Sequence, residues 1–360
     1  MKAIIFAGGV GTRLWPLSRK SSPKQFEKII GNKSTLQLAV ERLIPEFEWK
    51  DIYISTGATY VDIVEKQLPN VPKQNVIGEP LMRDVGPAVG LITAILYKQS
   101  AKVPLTILWS DHLVGKQDLF KKILKDAGQF ISKNTNKIVF IAQKPRFASQ
   151  NLGWIEYGSV VNKVNETGLH SFKSFKYRPD LDLAKVYFNS GHHAWNLGYF
   201  VTTPEFLWKQ YQKQAPEMFA LIKEIYESVG TNKFTEIVNR LYSKFEKINF
   251  DNLILEKIKP EDAFVISENL QWSDVGAWEA LKEALQKHQS ENITSGKVLV
   301  QDSQDSLIYN YTNQLVVAID LEGLLVVNTG DVTLVAHKNS VPKIKKIVES
   351  FSGTENEKLT

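Results

Sequence analysis

At 360 residues the chain is long enough for a sizeable core, and its length favours two domains. A hydrophobic share of 43% with 23% charged residues excludes a disordered or fibrous protein, and the absence of cysteine excludes disulfides, thiolate nucleophiles and thiolate metal sites. The 44 Lys and Arg against 39 Asp and Glu leave a formal charge of +5, which suits an anionic ligand. The lysines are scattered, in short groups such as Lys343, Lys345 and Lys346, so no nucleic-acid partner is expected. The opening apolar stretch is too short for a signal segment, and no later run could span a bilayer. A cytoplasmic protein without membrane association is the expectation.

Residues 3–7 form an apolar run stopped by Gly8 and Gly9, the pattern of a strand buried on both faces. Ser34 with Gln37 three residues later is a capping-box pair opening a helix over 36–44. Strand patterns follow at 51–56, 75–77, 105–109 and 137–142, with helical spacing between them at 60–68, 87–100 and 119–132. This alternation predicts an α/β fold, a mostly parallel sheet with helices on both faces. Ligands bind such sheets beyond the carboxyl ends of the strands, where the Gly8 loop and Ser110-Asp111-His112 fall.

Further on, strands are expected at 154–160 and 169–176, and helices at 183–189, 205–214, 217–229, 234–245 and 277–288. The polar stretch 289–296 reads as a linker, dividing the chain into residues 1–290 and 291–360. Beyond it, short apolar runs at 298–300, 307–308, 315–319, 324–327 and 332–335 predict a small β domain, whose exposed strand edges suggest a homodimer. An amphipathic segment, 341–351, should close it as a helix, and 353–360 reads as a frayed tail.

The segment carrying Gly8, Gly9, Gly11, Thr12 and Arg13, continuing through Trp15-Pro16-Leu17-Ser18 to Pro23-Lys24-Gln25-Phe26, is neither a dinucleotide fingerprint nor a Walker A loop. Its glycines admit phosphate oxygens close to backbone N–H groups, with Arg13 as a bidentate fork and Lys24 as a point charge. Taken alone, the glycines also fit a tight strand-to-helix turn. Asp111 and Asp274 are hard oxygen donors that two distant segments can bring to one Mg²⁺. Each also fits a local role, Asp111 as a helix cap and Asp274 in a turn.

The whole string from Gly8 to Phe26 resembles the signature of the sugar nucleotidyltransferases, in their mannose-1-phosphate guanylyltransferase branch. The resemblance continues through Gly78-Glu79-Pro80 with Arg83, Pro87-Ala88, Ser110-Asp111-His112, Trp195-Asn196-Leu197-Gly198 and Trp272 to Trp278, nearly the whole chain. It implies a Rossmann-like catalytic domain followed by a small left-handed β-helix-like domain with a terminal helix. It also implies transfer of the nucleoside monophosphate of GTP to mannose 1-phosphate, giving GDP-mannose and pyrophosphate. Asp111 and Asp274 would hold Mg²⁺ and act with Arg13 and Lys24 in catalysis. Gly8, Gly9, Gly11, Thr12, Arg13, Lys24, Glu79, Arg83, Pro87 and Ala88 would hold the nucleotide, and Gly153, Tyr177, Arg178 and Asn196 the sugar phosphate.

The chain departs from the family pattern in three places. Tyr177-Arg178-Pro179 stands where Glu-Lys-Pro is usual, Asp84-Val85-Gly86 where Asn-Thr-Ala is usual, and Asn249-Phe250-Asp251-Asn252 where Ser-Ile/Val-Asp-Tyr is usual. Tyr177 replaces a carboxylate that accepts sugar hydroxyl bonds, and Glu156 is a candidate substitute whose alternative is a solvent-facing strand position. These departures keep open another hexose 1-phosphate or another nucleoside triphosphate. A non-catalytic nucleotide-sugar-binding regulatory protein is the alternative of another class. Adjacent His192 and His193 would point apart and are assigned no metal.

Overall fold

The computed structural model describes every residue except Val10, with Thr12 described by its backbone alone. It divides into two compact units. The first comprises Met1–Gly8, Val40–Trp109 and Lys116–Leu270; the second comprises Gly9–Ala39, Ser110–Gly115 and Gln271–Thr360.

The first unit is built on nine strands: β1 (Lys2–Ala7), β2 (Ile52–Gly57), β3 (Val76–Glu79), β4 (Leu105–Trp109), β5 (Ile138–Gln143), β6 (Gly153–Val164), β7 (Thr167–Lys176), β8 (His193–Thr202) and β9 (Ala263–Glu268). Their order is β3-β2-β1-β4-β8-β5-β9-β7-β6, and β6 also pairs with β8. The central strands are continuous apolar runs because both faces are covered. On β1, for example, Ile4 lies opposite Tyr53 on one side and Ile107 on the other, fully buried. Only β7 and β8 run against the rest, so the sheet is mostly parallel, as the alternation predicts. Two strands, β8 and β9, come from stretches that carried no strand expectation.

Helix α1 (Val85–Ser100) is buried along most of its length, packing with α2 (Pro204–Gln214) and α3 (Pro216–Ser228) in the main core. It starts two residues before the expected position because Asp84, at φ 68°, turns its carboxylate to accept from the Val85 N–H at 2.7 Å.

In the second unit the expected capping box forms. The Ser34 N–H donates to Gln37 Oε1 at 3.0 Å, and the Gln37 N–H donates to Ser34 Oγ at 3.2 Å. The C-terminal strands β10 (Ile293–Ser295), β11 (Val298–Gln301), β12 (Leu307–Asn310), β13 (Val316–Ile319) and β14 (Leu324–Asn328) stack in parallel pairs, and β15 (Thr333–His337) closes antiparallel on β14. Val298 lies opposite Val316 and Leu307 opposite Leu325, a separation of 18 residues in each case. The Asn328 amide donates to Asn310 Oδ1 at 3.0 Å across the same interval. The domain is thus β-helix-like, with an 18-residue coil that was not evident as a sequence repeat.

Helices α4 (Trp278–Leu285) and α5 (Pro342–Glu349) pack with Leu14, Trp15, Leu307, Tyr309, Leu325 and Val327 in the core of this unit. Trp278 is 1% exposed and its indole N–H donates to the Trp15 carbonyl at 3.0 Å. The tail is not frayed. A 3-10 turn, Glu355–Leu359, presents the Leu359 carbonyl to the Trp15 indole N–H at 2.8 Å, and Phe351 meets the Trp15 ring edge-on. The correction follows from the buried indole, which needs an acceptor that an unattached tail would not supply.

Candidate active site

The second unit assembles its charged groups from three segments. Trp272–Ser273 pairs antiparallel with Leu113–Val114, Ser273 opposite Leu113, which lays the chain just after Ser273 beside His112 and Asp111. Between these segments stands Lys24, whose ammonium is 2.8 Å from Asp111 Oδ2 and donates to the Val275 carbonyl at 3.3 Å. Lys24 is 9% exposed, and its stem passes over Gly11. A Cβ at Gly11 would lie 2.7 Å from Lys24 Cγ, and the φ of +65° there disfavours any side chain. The loop is braced from within: Ser18 Oγ donates to the Gly11 carbonyl at 2.6 Å and Gln25 Nε2 to the Gly9 carbonyl at 3.1 Å. Ser18 and Gln25 of the two flanking motifs therefore set the shape of the glycine loop.

Burial alone would push the Asp111 carboxyl up, but the Lys24 ammonium, aided by His112, outweighs it and holds the group below its ordinary value. Asp111 is therefore an ionised, hard oxygen donor at neutral pH. His112 is oriented by Trp272, whose indole N–H donates to Nδ1 at 3.1 Å, leaving Nε2 3.8 Å from Asp111 Oδ1. Arg13 and Asp274 meet at Gly276, where a Cβ would lie 3.1 Å from Arg13 Nη2 and 3.2 Å from Asp274 Oδ2. Asp111 and Asp274 are hard oxygen donors, the residue type that shares a Mg²⁺ with phosphates; no cluster of three or more metal-binding side chains occurs among the described residues.

The first unit gathers the other predicted residues. Asn196 Nδ2 donates to Asp251 Oδ1 at 3.1 Å, and Asn196 Oδ1 accepts from the Gly198 N–H. Burial pushes the Asp251 carboxyl up to about 6, against the pull of Arg178. Tyr177 is half-buried, its N–H donating to Glu256 Oε1 at 2.9 Å, with the Arg178 guanidinium 5.0 Å from its ring centre. Burial raises its phenol too; Arg178 opposes this, while Asp251 and Asp84 add to it. Gly86 connects the remaining departure: its N–H donates to the Ile248 carbonyl at 2.9 Å, and a Cβ there would lie 2.7 Å from that oxygen. The three departures from the family pattern are therefore one connected neighbourhood.

Other predicted residues have different surroundings. Both Glu79 oxygens are engaged, accepting from Ser55 at 3.0 Å and Tyr242 at 2.8 Å, and burial lifts this carboxyl to about 7. Arg83 donates to the Ser243 carbonyl at 2.7 Å, while its Nε is buried without a hydrogen-bond partner. Pro87 and Ala88 are buried in the first turn of α1, and Gly153 lies opposite Asn196 with Phe175 filling the space beside it. Gly8 belongs to the first unit; Gly9 and Gly11 belong to the second, and the side chain of Thr12 lies outside the described residues. Glu156 accepts from Ser174 at 2.9 Å on β6, and His193 packs on Tyr187 with Nδ1 2.7 Å from Ser190 Oγ. Sequence reasoning left out Asp251 and Glu279. Asp251 carried a signal, since it follows the Asn249 helix cap inside a segment already marked as unusual.

A mostly parallel sheet, a braced glycine loop and a lysine clasped to an ionised aspartate define a nucleotide-handling transferase, and the chain belongs to the nucleotidyl transferase family, whose profile matches residues 2–291. Residues 296–351 match the MannoseP isomerase/GMP-like beta-helix domain. Within that class it is a member of the mannose-1-phosphate guanylyltransferase family. Mannose-1-phosphate guanylyltransferase 2 of Escherichia coli O157:H7 is 30% identical over 355 residues, 96% of this chain and 72% of that protein. The mannose-1-phosphate guanylyltransferase of Salmonella montevideo is 32% identical over 353 residues, 97% of this chain and 73% of that protein. Among solved structures, one described as a mannose-1-phosphate geranyltransferase from Thermus thermophilus shares the fold with a TM-score of 0.86 at 24% identity, covering 98% of this chain and 99% of that one.

Proposed function

We propose that the chain transfers the nucleoside monophosphate of GTP to mannose 1-phosphate, releasing pyrophosphate. The observation that carries the reading is Lys24, held between the Asp111 carboxylate and the Val275 carbonyl beside Asp274 and Arg13. A phosphate oxygen of the sugar phosphate is already ionised at neutral pH and attacks the α-phosphorus in line, so no general base is needed. Arg13 and Lys24, with N–H groups of the glycine loop, neutralise charge that builds on the triphosphate oxygens and on the leaving pyrophosphate. When bound by Asp111 and Asp274, Mg²⁺ would supply further charge neutralisation between phosphate oxygens. Tyr177, Arg178, Asn196 and Gly153 are assigned to the sugar phosphate, with Asp251 added as an acceptor for its hydroxyls. Thr12, Gly8, Glu79, Arg83, Pro87 and Ala88 complete the nucleotide set.

The Tyr177, Asp251 and Asp84 neighbourhood favours one alternative, the same chemistry with a different hexose 1-phosphate. Pyrophosphate release with Mg²⁺, across four nucleoside triphosphates and mannose, glucose and fucose 1-phosphates, tests both. GTP with mannose 1-phosphate should dominate; another dominant pair replaces the substrates. Nucleotide binding without release from any pair sinks the transferase reading.

No helix among the described residues is long and apolar enough to cross a membrane; a cytoplasmic location remains part of the proposal. So does the division at residue 290, supported by the polar stretch there. A homodimer is also proposed, supported by Leu299, Val317 and Ile319, exposed by about half on β11 and β13. Light scattering on the intact chain tests it, and a monomer at micromolar concentration refutes it.

A further inference from the structure

We propose that Glu279 is a positioning residue that holds Arg13 ready for the triphosphate. The inference rests on the transferase reading, and Glu279 itself is given no contact with substrate.

Glu279 stands in the first turn of α4, three residues beyond Gly276. Its Oε2 is buried and has no hydrogen-bond partner. Leaving a buried polar oxygen bare is costly, more so when it is charged, so a partner is expected in the working state. The lysine one turn along α4 does not serve it. Lys282 is committed elsewhere, its ammonium 2.7 Å from Asp305 Oδ1 and 2.7 Å from Gln286 Oε1. Burial pushes the Glu279 carboxyl up from its ordinary value and Glu283 and Asp274 add to the rise, while a backbone N–H and, after it, the Arg13 guanidinium pull it down. That guanidinium already lies against Gly276 beside the Asp274 carboxylate. Arg13 therefore stands within the field of two carboxylates, with five N–H donors to distribute between them and a phosphate. With Glu279 anchoring one edge of the fork, the remaining donors point as a set at the triphosphate, and Asp274 keeps its charge for a cation rather than spending it on Arg13.

The test is a double-mutant cycle on the intact chain, with Glu279→Gln and Arg13→Ala singly and together. Its readout is the Kd of whichever nucleoside triphosphate binds the wild type, measured by calorimetry with Mg²⁺. Glu279→Gln should raise Kd about tenfold in the wild-type background and leave it unchanged once Arg13 is gone, the mark of two groups acting as one. An equal loss in both backgrounds, or no loss in either, overturns the proposal. Glu279→Asp keeps the charge and should restore part of the affinity; it replaces the glutamine variant if that one fails to fold. Because binding is read without turnover, a wild type that binds nucleotide but releases no pyrophosphate refutes the transferase reading while leaving the cycle interpretable.

Discussion

The two units treat their carboxyl groups in opposite ways. In the second, Asp111 is partly withdrawn from water yet held below its ordinary value by Lys24, so it stays charged. In the first, burial outweighs the pull of Arg178 on Asp251 and the hydrogen bonds that Tyr242 and Ser55 give Glu79, and the two carboxyls rise to about 6 and about 7. The same side-chain chemistry is thus tuned by neighbours to two tasks. Charged oxygens suit cations and the balance of phosphate charge, whereas carboxyls near neutrality suit hydroxyl groups and the bracing of a sheet.

The largest effect should come from removing the charge where it is kept. Asp111→Asn or Asp274→Asn is expected to cut turnover by at least about a hundredfold, the scale of losing one preorganised charge contact. Near wild-type Mg²⁺-dependent rates in both would end the two-carboxylate assignment. Next comes Lys24→Ala, with a loss of roughly tenfold to a hundredfold in kcat/KM for the triphosphate. Without Lys24, only His112 and a backbone N–H oppose burial at Asp111, so the acid limb of the pH profile should move to higher pH; an unmoved limb would show that Lys24 does not govern that carboxyl. Gly11→Ala should behave as a weaker copy, because the new Cβ displaces the Lys24 stem.

Smaller still, Asp251→Asn should raise KM for the sugar phosphate about tenfold while kcat changes little; the reverse split would move Asp251 from hydroxyl recognition to the chemical step. The smallest effect is one of stability. Glu79 binds its proton more tightly folded than unfolded, so folding is favoured at low pH and loses support as pH rises from about 4.5 to about 7. Glu79→Gln should flatten that slope in urea midpoints followed across this range, and an unchanged slope would place the titration elsewhere.

Much of this was legible in the sequence where one segment decides its own structure. Continuous apolar runs at β1 and β4 and the Ser34 and Gln37 pair needed no distant partner to be read. The antiparallel insertion was harder: β8 takes its place between β4 and β5 although its sequence lies far beyond both, and its residues 195–198 read as a motif rather than as a strand. For the site, Lys24, Asp111, Arg13 and Asp274 could be named from residue type and resemblance. What they do to one another depends on the pairing of 113–114 with 272–273, a contact that residue spacing does not encode. Likewise Asp251 gains its raised pKa from burial, and Glu279 gains its interest from a missing partner, both properties of the folded surroundings.

The 18-residue coil of the C-terminal domain carries a consequence for how that part of the chain can vary. Val298 over Val316, Leu307 over Leu325 and Asn310 over Asn328 keep step only while the chain between the partners keeps its length, whereas Ile293 already meets Leu307 across a shorter turn. A single deletion within 298–328 would turn inward positions outward through the rest of the coil, whereas a duplication of one full circuit would preserve every ladder and simply lengthen the stack. Within 298–328 length is therefore quantised, and material is gained or lost there in whole circuits more readily than in single residues, while the opening turn from Ile293 to Leu307 lies outside that constraint.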